Sequence, residues 1–202
     1  MDDRSIDYYW VAGSPWTYMG HERVVQLARR HGVALRLLPF DLGRVFGVSG
    51  GLPLAKRAPQ RQAYRMVELA RWRDALGVPM NVQPKHFPAP GDAAARMAIL
   101  ATQRHGADAG LALAGAFNRA VWAEDRDLGD DATLAGIADA CWLPGATLLA
   151  DQAGPEAQAA YDANTQSAIE AQVFGAPWYV WRGEPFWGQD RIDLLEREVA
   201  RS

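Results

Sequence analysis

Residues 11–18, Val-Ala-Gly-Ser-Pro-Trp-Thr-Tyr, join a strand-like run to a helical pattern, and the rest of the chain is arranged around this join. The β-rich run over residues 6–12 stops at Gly13, and apolar residues at helical spacing follow Pro15. Serine before proline is a common helix start, because the hydroxyl caps backbone N–H groups and proline has none to leave unpaired. Ser14 also lies at the carboxyl end of a strand and the positive end of a helix, which suits an anion.

The remaining elements predict an α/β fold with a large helical insertion. The predicted ranges are strand 6–12, helix 15–30, strand 33–39, helices from 62 to about 173, strands 177–181 and 185–187, and helix 191–200. Glycines and prolines between Phe40 and Pro59 predict an irregular loop. Without the insertion this order is that of a thioredoxin fold. We therefore expect a discontinuous thioredoxin-like domain of residues 1–52 and 155–202, and a helical insertion domain of residues 53–154.

The amino-acid composition limits the kinds of binding partner and site that we expect for this protein. The formal net charge of −3 gives no reason to expect nucleic acid or an acidic membrane surface. Cys141 is the single cysteine, which excludes an intramolecular disulfide and fits a reducing compartment. The histidines show no ligand spacing, so no metal site is predicted. No stretch approaches the ~18 apolar residues of a membrane span and the start is unlike a signal peptide, so we expect a cytoplasmic protein.

Two later turns contain further candidate site residues. Ala176-Pro177 directly precedes the third predicted strand, and Gln189-Asp190 precedes the last helix. Taken singly, each has a structural interpretation: Pro177 starts a strand, Asp190 caps a helix, and Arg61 is a solvated helix residue. Their functional interpretation depends on the three turns being considered together.

Considered together, the turns resemble a known family. Residues 14–17, Ser-Pro-Trp-Thr, stand where thioredoxin-like disulfide enzymes have Cys-X-X-Cys. Residues 174–177 look like the cis-proline loop of those enzymes, and residues 187–191 resemble a glutathione-binding turn. Over essentially its whole length the chain resembles the 2-hydroxychromene-2-carboxylate isomerase family, DsbA-like proteins related to kappa-class glutathione transferases. Dithiol–disulfide exchange is set aside, because Ser14 and Thr17 replace both sulfurs.

The resemblance implies a glutathione-dependent cis–trans isomerase with a small aromatic substrate. In that chemistry the thiolate of glutathione adds to a conjugated carbon of an aryl-pyruvate, the bond rotates, and the thiolate leaves. Ser14 would donate its O–H to the sulfur at the N-terminus of a helix, and both effects favour the thiolate. Family members are generally dimers, which implies a homodimer.

The same resemblance implies the residues that hold glutathione. A cis peptide bond before Pro177 would turn the backbone of Ala176 toward the cysteinyl part of glutathione. Gln189 and Asp190 would hold the γ-glutamyl group. Arg61 matches a basic position that contacts glutathione or the carboxylate of the substrate.

Two positions depart from the pattern of the family. Gly51 stands where asparagine is usual, which removes one expected glutathione contact, and Trp178 replaces a threonine after the proline. We expect Trp16 and Trp178 to line a narrower or more aromatic substrate pocket. Two other functions stay open: a kappa-like glutathione transferase or peroxidase, and a glutathione-binding thioredoxin-like protein without turnover.

Overall fold

A computed structural model of the chain describes residues 4–201 and shows a mixed sheet covered by helices. The outermost ends of the predicted thioredoxin-like domain, and the first residues considered for a signal peptide, lie outside this range. The strands are β1 Ser5–Trp10, β2 Ala34–Pro39, β3 Trp178–Trp181 and β4 Glu184–Trp187. The helices are α1 Pro15–His31, α2 Leu42–Ser49, α3 Pro59–Leu76, α4 Asp92–His105, α5 Ala107–Trp122, α6 Asp131–Ala140, α7 Gly145–Asp151, α8 Pro155–Glu170 and α9 Ile192–Ala200, with 3₁₀ turns at Leu54–Lys56 and Gln189–Arg191.

The sheet has the strand order β2-β1-β3-β4 and confirms the predicted thioredoxin-like fold. Strand β1 pairs in parallel with β2 and antiparallel with β3, which continues into the antiparallel β4. Ile6, Tyr8 and Trp10 belong to the main core on one face, whereas Tyr9 packs with Trp178 in a second core on the other. The nearly continuous apolar run of β1 follows from this burial on both faces.

The predicted helical insertion is confirmed, because helices alone connect β2 to β3 in the described chain. Helix α5 is apolar on most of its surface, and Leu113, Phe117 and Val121 on it are buried. It packs on α4 and on α1, so the insertion and the thioredoxin-like part share one core. The boundaries at residues 52 and 154 stay a prediction.

The irregular loop predicted between Phe40 and Pro59 is wrong, because helix α2 occupies its first half. Asp41 caps this helix and accepts a hydrogen bond from the backbone N–H of Arg44 at 3.1 Å. Val45 is fully buried against the second core, and this burial offsets the low helix propensity of the glycines in the segment.

Helix α7 begins at Gly145, directly after Pro144, within the region that the sequence predicts to be helical. The backbone N–H of Gly145 donates to the carboxylate of Asp139 at 2.9 Å. A Cβ at Gly145 would overlap the backbone of Ala135, so glycine permits α6 and α7 to approach closely. The cap of α6 is Asp130, whose side chain accepts a hydrogen bond from the backbone N–H of Thr133.

His21 joins α1 to the insertion and is almost fully buried. Its Nε2 lies 3.0 Å from the carbonyl oxygen of Leu111, and its Nδ1 lies 3.2 Å from the hydroxyl of Tyr8. A neutral ring that donates from Nε2 and accepts at Nδ1 satisfies both contacts. Burial in the core lowers the pKa of His21 to about 4.

We expect protonation of His21 to destabilise the protein in mild acid. In the unfolded chain His21 takes up a proton near the ordinary histidine pKa, whereas in the folded chain it stays neutral to lower pH. The free energy of unfolding is therefore highest above the ordinary pKa and falls as the pH is lowered below it. Between about pH 7.5 and pH 5 the loss should be about 2 kcal/mol in the free energy of unfolding. Urea unfolding of the wild type, His21→Gln and the exposed control His105→Gln measures this loss. An equal pH dependence in all three proteins would contradict the prediction.

Candidate active site

A cavity of about 360 Å³ opens at the carboxyl end of β1. Its walls include residues 11–16 at the start of α1, residues 87–95 of the insertion and residues 174–176 before β3. The lining is completed by residues 40–43, Phe46, Leu54, Arg57, Arg65, Tyr161 and Trp187. The fold therefore brings residues of all three predicted turns to one cavity, with Ser14, Ala176 and Trp187 in its lining.

Ser14 caps α1, as the sequence predicts, and is buried beside the loop before β3. Its Oγ accepts a hydrogen bond from the backbone N–H of Thr17 at 3.2 Å and donates one to the carbonyl oxygen of Ala176 at 3.3 Å. The hydroxyl proton can rotate away from this carbonyl while the cap bond is kept. The site therefore offers one O–H donor at the positive end of a long helix.

The peptide bond between Ala176 and Pro177 is cis. The N–H of Ala176 makes no backbone hydrogen bond within residues 4–201, although the carbonyl of this residue faces Ser14. One backbone donor and one backbone acceptor are thus presented together at the cavity, an arrangement that suits an extended peptide-like ligand.

Aromatic side chains form the wall beside this loop. Trp16 lines the cavity as predicted, and so do the half-exposed Phe174 and Trp187, whose rings lie 4.6 Å apart. Trp178 is buried behind Phe174, with ring centroids 4.8 Å apart, and does not line the cavity. Gly175 permits this arrangement, since a Cβ there would come within 2.5 Å of the indole nitrogen of Trp187.

Comparison of the sequence with protein-family models shows which family the chain belongs to. A family model described as a DSBA-like thioredoxin domain matches residues 5–200. The chain belongs to the DSBA-like thioredoxin family.

Two relatives and one solved structure are similar to this chain over nearly its whole length. The chain is 28% identical over 194 residues to a 2-hydroxychromene-2-carboxylate isomerase of Sphingobium xenophagum, covering 96% of each chain. It is 25% identical over 203 residues to glutathione S-transferase kappa 1 of Caenorhabditis elegans, covering 94% of this chain and 88% of the other. A solved 2-hydroxychromene-2-carboxylate isomerase structure is 25% identical, with a TM-score of 0.79 over 98% of this chain and 95% of that one.

This member of the DSBA-like family supplies no cysteine at the cavity. Cys141 lies at the end of α6, outside the cavity lining, and burial raises the pKa of its thiol. Within residues 4–201, no group of three or more histidines, cysteines and acids could hold a metal ion. In the same part of the chain no helix is both long and apolar enough to cross a membrane. A sulfur nucleophile at Ser14 would have to come from a bound thiol.

The basic side chains at the cavity are not the predicted one. Arg61 is exposed on α3 and does not line the cavity, whereas Arg57 and Arg65 do. Arg65 lies one helical turn after Arg61, and its guanidinium stacks on Phe87 at 5.2 Å. The sequence contains all three arginines at four-residue spacing and does not indicate which of them faces the cavity.

Gln189 and Asp190 of the third predicted turn do not line the cavity, whereas Trp187 at the start of that turn does. Gln189 is buried, and its carbonyl oxygen and Oε1 each accept a hydrogen bond from Arg23 Nη1 at 2.8 Å. Asp190 is exposed and pairs with Arg191 at 3.0 Å. The predicted helix cap at Asp190 is wrong, because a 3₁₀ turn precedes α9 and no side chain caps that helix.

Gly51, which stands in place of the usual asparagine, packs against Phe46. A Cβ at this position would overlap the ring of Phe46, and that ring lines the cavity. The space that a side chain at residue 51 would need is therefore filled by an aromatic ring.

Asn118 was not predicted as a site residue, but it holds the segment directly before Ser14 through three hydrogen bonds. It is fully buried on α5, and its Oδ1 accepts a hydrogen bond from the indole N–H of Trp10 at 2.6 Å. Its amide nitrogen donates to the carbonyl oxygens of Val11 at 3.2 Å and Ala12 at 2.5 Å. A single asparagine within an apolar helix was the signal available, because buried amides need partners.

Proposed function

We propose that the protein is a glutathione-dependent isomerase of 2-hydroxychromene-2-carboxylate or of a related aryl-pyruvate. The observation that carries the proposal is the Ser14 hydroxyl, which lies at the N-terminus of α1, 3.3 Å from the carbonyl oxygen of Ala176, in a cavity with aromatic walls. The names of two relatives, an isomerase and a kappa glutathione transferase, support the same chemistry.

Ser14 has the contacts that this chemistry requires. When bound, glutathione supplies a thiolate that adds reversibly to a conjugated carbon and allows the bond to rotate. Ser14 would turn its O–H from the carbonyl of Ala176 to an anionic sulfur and keep the hydrogen bond from Thr17. Hydrogen bonding to the charged form and the field of α1 both lower the pKa of a thiol held there.

The residues present fit the cysteinyl part of glutathione. The free N–H and the carbonyl of Ala176 would pair with a peptide backbone, while Trp16, Phe174 and Trp187 would pack on the aryl ring and exclude water. For the γ-glutamyl group, Gln189 and Asp190 stay a prediction, as do a homodimer and a cytoplasmic location.

A kappa-like glutathione transferase is the second candidate, supported by the relative of that name from Caenorhabditis elegans. Ser14 and Ala176 would serve a transferase equally well, since both activities begin with a stabilised thiolate. The two candidates differ in whether the thiolate leaves again or stays on the product.

The direct test is the ultraviolet absorbance of a hydroxychromene carboxylate incubated with the protein, with and without glutathione. We expect the hydroxychromene carboxylate to equilibrate with its open-chain isomer only when both the protein and glutathione are present. No glutathione should be consumed. Consumption of glutathione with an electrophile such as 1-chloro-2,4-dinitrobenzene, without isomerisation, would instead identify the transferase. Calorimetry that detects no binding of glutathione at millimolar concentration, together with no turnover, would reject both.

A further inference from the structure

Arg57 and Arg65 bring two positive charges to the cavity. Neither forms an ion pair with a carboxylate within residues 4–201, although Arg44, Arg104 and many other arginines of the chain do. Both guanidinium groups belong to residues of the cavity lining. An unpaired, partly buried cation at a cavity is a candidate binding group for an anion.

The two guanidinium groups are held by aromatic rings instead. Arg65 lies 5.2 Å from the ring centre of Phe87 and 5.9 Å from that of Trp122, and Arg57 lies 6.0 Å from that of Phe46. Stacking on a ring uses the face of a guanidinium and leaves its N–H groups at the edge available. Arg65 donates a weak hydrogen bond to the sulfur of Met66 at 3.8 Å, whereas Nε of Arg57 is already bound to the carbonyl oxygen of Leu52 at 2.8 Å.

The cavity lining contains two arginines and two carboxylates, and none of the ion pairs within residues 4–201 joins one to the other. Burial and the nearby positive charge of Arg57 both lower the pKa of Arg65, because each makes its charged form less favourable. The two carboxylates of the lining are engaged elsewhere: Asp41 caps α2, and Asp92 accepts a hydrogen bond from the hydroxyl of Tyr161 at 3.0 Å. An anion bound here would relieve the repulsion and use the free donors.

We infer that Arg65, assisted by Arg57, binds the carboxylate of the substrate, so that the cavity selects aryl compounds that carry an acid group. The fork of a guanidinium matches a carboxylate with two parallel hydrogen bonds. The inference rests on the proposed function only for the identity of the reacting bond, because binding of the acid group requires no thiol. It assigns the acid group to Arg65 instead of Arg61.

The test is isothermal titration calorimetry with cinnamate and with its methyl ester, in the absence of glutathione. We expect Arg65→Gln to weaken cinnamate binding at least tenfold and Arg57→Gln to weaken it severalfold, with little change for the ester. Arg65→Lys keeps the charge and should lose less affinity than Arg65→Gln. Arg71→Gln is the matched control, because Arg71 is exposed on the same helix and pairs with Glu68.

Three results would overturn the inference: no cinnamate binding by the wild type at millimolar concentration, equal affinity for acid and ester, or unchanged affinity in Arg65→Gln. Circular dichroism and the thermal midpoint of Arg65→Gln show whether that variant is folded, and Arg65→Lys repeats the comparison if it is not. Arginine-dependent binding of cinnamate without isomerase turnover of a hydroxychromene carboxylate would reject the proposed function and leave this inference standing.

Discussion

Replacing Ser14 by alanine is expected to lower glutathione-dependent turnover by about 100-fold, the usual cost of losing one hydrogen-bond donor to a developing anion. The free energy of unfolding should fall by only about 1 kcal/mol, which is the cost of a lost helix cap. Steady-state kinetics and urea unfolding of the same preparations measure both quantities. A pH titration followed by the ultraviolet absorbance of the thiolate of bound glutathione should give a higher thiol pKa for Ser14→Ala than for the wild type.

Asp130→Ala is the matched control for the loss of a cap. Asp130 caps α6 through the backbone N–H of Thr133 at 2.8 Å and does not line the cavity. This variant should lose similar stability and keep full turnover. If Ser14→Ala keeps full activity as well, then Ser14 is a helix cap and no more.

Replacing Asn118 by leucine is expected to cost about 3–5 kcal/mol in the free energy of unfolding. The variant has a similar volume but leaves the indole N–H of Trp10 and the carbonyl of Ala12 without the partners that they now have. The carbonyl of Val11 would keep only the backbone N–H of Ser14, at 3.3 Å. Because these groups directly precede Ser14, turnover should fall as well.

Urea unfolding with Asn164→Ala as control tests this prediction. Asn164 makes one hydrogen bond, to the carbonyl oxygen of Pro39 at 3.1 Å, and is only partly buried. Its loss should cost about 1 kcal/mol. If Asn118→Leu lowers the free energy of unfolding by no more than Asn164→Ala does, then the buried amide network does not hold α5 to β1.

The sequence was sufficient for those parts of the fold that depend on near neighbours. A helix cap such as Ser14 acts within one turn, and a period of two or of 3.6 residues is visible over a single element. The β1–α1–β2 unit and the strands around residues 177–187 were therefore predicted close to their observed bounds. Helix α2 was not, because burial of Val45 against distant elements outweighs the glycines beside it.

The motif that begins α1 and the proline before β3 were thus determined by the sequence, whereas the lining of the cavity was decided only by the tertiary structure. Arg65 instead of Arg61 faces the cavity, Trp178 is hidden behind Phe174, and the amide oxygen of Gln189 is bound to Arg23. The physical reason is that each outcome depends on the direction of a side chain. Packing against other segments sets that direction, and the partner can be distant in the chain, as Arg23 and Gln189 are at a separation of 166 residues.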